Sequence, residues 1–81
     1  MKQNKTQTIR TEYTDTFGGD ANYSWVQRAS VEVTDNAPES AIIRRAKKEH
    51  GLNGVPCRKV DLGDLIALYP RNSCTVLFVE I

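Results

Sequence analysis

The chain has 81 residues, with 11 Lys and Arg against 10 Asp and Glu and a formal net charge of +1. That length holds one domain with a thin core, because a short chain buries a small share of its surface on folding. A near-neutral balance excludes a polyanionic DNA mimic and a polycationic chromatin-like protein, so contact with nucleic acid would have to come from a local basic patch.

Residues 1–5 are polar and read as a frayed tail, which leaves 6–81 as a single domain. The N-terminal stretch has no apolar segment of the secretory kind, and the longest apolar run, 75–79, is far too short to span a bilayer. A cytoplasmic setting with free cysteines is the expectation. From Thr6 the chain alternates, with Ile9, Thr11 and Tyr13 on one side and Thr8, Arg10, Glu12 and Thr14 on the other. That period of two predicts a half-buried strand. Asp15, Gly18, Gly19, Asp20 and Asn22 then mark a turn. Residues 23–33 form the second arm of an antiparallel hairpin, with Trp25, Ala29, Val31 and Val33 on one face and Val26, Arg28, Ser30 and Glu32 on the other. Gln27 interrupts the apolar face and predicts a bulge.

The helix follows. Asn36 stands three residues before Glu39 in a capping-box arrangement, and Pro38 suits a first turn. Ile42, Ile43, Ala46 and His50 recur at helical spacing. Gly51 is the natural left-handed residue after the last turn, with Leu52 placed to pack back on it. Three further strands are predicted over 57–62, 65–69 and 74–81, separated by Gly63-Asp64 and by Pro70-Arg71-Asn72-Ser73. The last is almost continuously apolar, which predicts a central strand buried on both faces. The expected architecture is α+β: a mainly antiparallel sheet in the order β-β-α-β-β-β, with one helix packed on one face.

The run Tyr13-Thr14-Asp15-Thr16-Phe17-Gly18-Gly19-Asp20-Ala21-Asn22-Tyr23-Ser24-Trp25-Val26 is distinctive, as are Ile42–Lys47, Gly51-Leu52-Asn53-Gly54 and the closing segment Pro70–Phe78. On these segments, nearly the whole chain resembles a group of small uncharacterised proteins of bacteriophages and prophages. The resemblance carries no catalytic residues. It implies an accessory role in a phage or its host, and small α+β phage proteins include inhibitors of host defence.

Chemistry-bearing residues are sparse. Cys57 and Cys74 lie on different predicted strands with a single histidine, His50, so no metal-ligand spacing is present, and both thiols are expected as small core residues. Neither cysteine has a nucleophile-elbow context, and Asp15, Asp20, Asp61 and Asp64 read as turn-capping residues. Gly18-Gly19 lacks the Lys-Ser or Lys-Thr of a phosphate loop. No cofactor and no catalysis are expected.

Two binding surfaces remain. Arg44, Arg45, Lys47 and Lys48 crowd the helix, where Arg45 can pair with Glu49 one turn on, leaving 44, 47 and 48 as a basic stripe for phosphates or an acidic protein. Phe17, Tyr23 and Trp25 cluster with Tyr13 about the hairpin turn and are candidate interface anchors or base-stacking groups, with Phe17 the most exposed. The expected partner is a host or phage protein, with nucleic acid as the alternative. An unprotected sheet edge leaves room for a homodimer.

Overall fold

A computed structural model of the chain describes residues 5–16, 20–71 and 73–81. Its elements are β1 (Thr6–Asp15), β2 (Val26–Thr34), α1 (Glu39–Glu49), β3 (Cys57–Asp61), β4 (Leu65–Pro70) and β5 (Thr75–Glu80). The strands form one antiparallel sheet in the order β2-β1-β5-β4-β3, so the expected α+β arrangement is the one observed. The β2-to-β3 connection carries α1 and joins the two edge strands. No helix among the described residues is long and apolar enough to cross a membrane.

Alternation explains which face the helix covers. Ile9, Val31, Ile66, Leu68, Leu77 and Val79 share one face and join Ile42, Ala46 and Leu52 in a single buried cluster. Ile42 and Ala46 are one turn apart on α1 and both are buried, whereas Arg44, Arg45 and Lys48 face outward. The strand β5 lies third of five, so the apolar C-terminal run occupies the centre of the sheet as predicted. It is not buried equally along its length: Val76, Leu77 and Val79 are buried, but Phe78, on the face away from α1, is only half-buried.

The helix ends as its sequence requires and begins as it does not. At the C-terminus, Leu52 N–H donates to Lys47 O at 2.7 Å and Gly51 N–H to Lys48 O at 3.2 Å. Gly51 sits at φ 73°. This double closure needs a left-handed residue at Gly51, and it turns Leu52 into the core. At the N-terminus, Asn36 is not the cap. Ala37 N–H closes a turn on Thr34 O at 3.0 Å, which holds Asn36 at a corner before the helix. Pro38 takes the cap position with extended backbone and no side-chain cap bond, and Glu39 pairs with Lys59 of β3 instead of reaching back.

Gln27 is likewise not a bulge. The β1–β2 register runs without interruption from Thr6↔Thr34 to Thr14↔Val26, with Tyr13 opposite Gln27. The polar side chain is tolerated because it is exposed at the end of that face, where His50 meets it from the helix end. His50 Nδ1 lies 2.8 Å from Gln27 Oε1, and Nε2 lies 2.6 Å from Thr11 Oγ1. The expected core role of the cysteines holds only for Cys57, which packs against the main cluster; Cys74 is exposed at the turn entering β5, and both thiols are free.

Candidate functional site

The sheet has a second face that α1 does not reach. In-register neighbours on that face are Thr14 and Val76, Glu12 and Phe78, and Val60 and Ala67. Its β3-β4-β5 half is apolar, formed by Val60, Leu65, Ala67, Tyr69, Val76 and Phe78. Ala67 and Val76 are fully buried there, while Leu65, Tyr69 and Phe78 are half-buried. Arg58 lies across the Tyr69 ring, 4.8 Å from its centroid, and carries the patch to the β3 edge.

The β1-β2 half of the same face is charged. Arg28 Nε donates to Glu12 Oε2 at 2.9 Å. Glu12 also accepts the Tyr23 hydroxyl, and that hydrogen bond, reinforced by Arg28, holds the carboxyl below its usual pKa. The same bond pushes the Tyr23 phenol up, because losing its proton would place two anions together. Between the two halves lies an open cleft of about 630 Å³, lined among others by Arg10, Glu12, Tyr23, Arg28, Phe78 and Glu80. The cleft combines an apolar wall with both signs of charge, a lining suited to a peptide or protein surface with matching groups.

The β1–β2 connection positions Tyr23 over this cleft. Asp15, buried at the end of β1, accepts Ser24 N–H at 3.0 Å and Asn22 Nδ2 at 3.1 Å, while Asn22 N–H donates to Asp15 O at 2.9 Å. These bonds fold the returning chain back on β1 and hold Tyr23 in the left-handed region, at φ 56°. An aromatic residue adopts that conformation only where its surroundings impose it. Tyr23 is 48% exposed.

The aromatic residues of the hairpin therefore do not form one cluster. Tyr23 lies on the open face with Glu12. Trp25 lies on the helix side, edge-on to Tyr13 with ring centroids 5.3 Å apart, and Tyr13 in turn lies 5.6 Å from the His50 ring. Trp25 keeps 43% of its surface exposed, so it combines a packing role with a free rim. Phe17 is outside the described residues.

The basic stripe is smaller than its sequence implies. Arg45 pairs with Glu49 at 3.1 Å, as expected from their spacing. Lys47 Nζ donates to Val55 O at 2.6 Å and so fastens the helix to the connector that follows it. Of the four, Arg44 and Lys48 are the exposed cations that belong to none of the described ion pairs. Both ring nitrogens of His50 are engaged by Thr11 and Gln27, and Cys57 Sγ donates to Val55 O at 3.4 Å. Among the described residues no group of His, Cys, Asp and Glu is arranged to hold a metal ion.

Sequence patterning carried one unused signal for the open face. Residues 65–69 and 75–79 are apolar on both alternating sides, yet the described residues hold one helix, and one helix covers one face. Comparison with protein-family models, curated proteins and solved structures gives no match, which leaves geometry as the guide to function.

Proposed function

We propose that this protein is a non-catalytic binding module that docks a protein partner on the open face of its sheet. The observation that supports this most strongly is the apolar half-face of β3, β4 and β5, which α1 does not cover, where Leu65, Tyr69 and Phe78 are partly exposed, and which adjoins the Tyr23–Glu12–Arg28 cluster. Half-exposed aromatic groups beside fixed, opposite charges give contact area at low entropic cost together with orientation. The resemblance to small phage and prophage proteins makes a host or phage protein the partner of choice, and inhibition of a host system is one form such docking would take. The work is assigned to the cytoplasm.

Affinity capture from host-cell lysate, with and without nuclease, tests this reading. A protein partner is expected to survive nuclease and to be retained by the Arg44→Ala/Lys48→Ala variant. It is expected to be lost, by roughly tenfold or more in affinity, from a Tyr69→Ser/Phe78→Ser variant. Recovery of nucleic acid alone, abolished by nuclease and by the helix variant, would transfer the function to the basic face.

A further inference from the structure

The geometry points to a second copy of this chain as the partner of the β2 edge, paired antiparallel about Ser30 to give a continuous ten-stranded sheet. Pairing of this kind does not depend on what docks on the open face.

The first support is the direction of the backbone groups. Asp35 N–H donates to Lys5 O at 3.0 Å, and Thr11 Oγ1 donates to Ala29 O at 3.2 Å. In the observed register, Asp35 therefore belongs to a hydrogen-bonded pair with Lys5, and in an antiparallel ladder such pairs recur at every second residue. Residues 27, 29, 31 and 33 are accordingly turned toward β1. Val26, Arg28, Ser30, Glu32 and Thr34 direct their N–H and C=O groups outward, away from the sheet. Thr34 O is taken at the strand's end by the Ala37 N–H at 3.0 Å, with the Gln7 amide at 3.4 Å beside it. The central groups at Arg28, Ser30 and Glu32 have no described backbone partner.

The second support is register. A twofold axis through Ser30 places Val26 opposite Thr34 of the second copy, so the strands Val26–Thr34 overlap along their length and the free central groups of Arg28, Ser30 and Glu32 face one another, Thr34 O being held by Ala37 N–H. It also makes every outward residue meet an outward residue, as a hydrogen-bonded antiparallel ladder requires.

The third support is charge. The same axis sets Arg28 opposite Glu32 of the second copy, twice over, with both side chains exposed on the open face. Since Arg28 already pairs with Glu12, each interface half would carry the row Glu12–Arg28–Glu32, alternating in sign across the boundary. On the other face, Ala29 meets Val31, which continues the apolar surface from one copy to the next.

The opposite edge shows what protection looks like. β3 spans only Cys57–Asp61, follows Pro56, and would bring two copies of Lys59 side by side if paired about its own centre. β2 is longer, has no proline, glycine or bulge, and its two charges attract in the self-paired register.

The test is sedimentation velocity over a concentration series up to about 1 mM, where even weak self-association is populated. The wild-type chain is expected to dimerise reversibly. Glu32→Arg alone and Arg28→Glu alone each set like charges against one another and are expected to weaken the dimer by roughly tenfold or more. An equimolar mixture of the two single variants restores both attractions and is expected to form a heterodimer. Glu32 belongs to none of the described ion pairs, so its variant should keep the wild-type circular dichroism spectrum. Ser30→Pro removes an outward N–H at the axis and is expected to give a monomer. A wild-type chain that stays monomeric throughout, a dimer indifferent to Glu32→Arg and Ser30→Pro, or a mixture that does not reassociate would overturn the proposal.

Discussion

Replacing Leu77 with Ala is expected to lower folding stability by roughly 3 kcal/mol, the largest loss from any single truncation on the helix-covered face. Leu77 has no exposed surface. It sits on the central strand, opposite Tyr13 of β1 and Leu68 of β4, beneath the layer formed by Ile42 and Ala46. Neighbours on both sides are held by the ladder, so they cannot close the space a missing isobutyl group leaves, and a cavity term adds to the lost transfer energy. A domain of this size has a total stability of only about 5–15 kcal/mol, so such a loss consumes much of it. Urea titration followed by circular dichroism should show a lower midpoint with an unchanged slope. The same change at Leu62, which is 55% exposed, should alter the midpoint little. Equal effects at the two positions would mean that the core is not where the helix-covered face places it.

His50→Ala is expected to cost about 2 kcal/mol and to remove a pH dependence at the same time. The imidazole ties the end of α1 to both strands of the hairpin through Thr11 and Gln27, and only 8% of the residue is exposed. Removing it takes a hydrogen-bond partner from the buried Thr11 hydroxyl and opens the space beside Tyr13, while the exposed Gln27 amide turns to solvent. Burial pushes the His50 pKa below its ordinary value, with the nearby Glu49 carboxylate opposing that effect. A depressed folded-state pKa means that the unfolded chain takes up the proton first. Stability is therefore full above about pH 6.5, falls as the pH drops below that value, and levels off once it passes the folded pKa. Denaturation midpoints measured between pH 7.5 and about pH 5 should show this decline in the wild type and a flatter profile in His50→Ala. A wild type whose stability rises on acidification through this range would contradict the buried, neutral imidazole.

The order of elements was legible because it rests on local periodicity. Alternation at Ile9, Thr11 and Tyr13, helical spacing at Ile42 and Ala46, and Gly51 after the last turn each report on a few neighbouring residues. What local reading missed depends on partners far along the chain. Gln27 looked like a defect in a strand because its partner, His50, lies on the helix. Asn36 looked like a cap because its spacing to Glu39 was right, but the turn closed by Thr34 and Ala37 moves the helix start past it. Lys47 looked free because nothing in the sequence announces that its ammonium reaches a carbonyl at Val55. Tyr23 and Trp25 are two residues apart and looked like one cluster. The bonds made by Asp15 and the left-handed backbone of Tyr23 send them to opposite faces of the sheet. The apolar half-face was hidden for a related reason: strands apolar on both sides imply two covering layers, and only the strand order shows which side goes without.

The claim that the open face is where a partner docks is tested most directly by site-specific photocrosslinking. A photoreactive phenylalanine analogue would be placed at Phe78 on the open face and, in a separate variant, at Lys48 on the outer face of α1. Irradiation in nuclease-treated host lysate is expected to give a discrete protein adduct from position 78 and none from position 48. An adduct from position 48 alone would contradict the account and return the partner to the basic face of the helix.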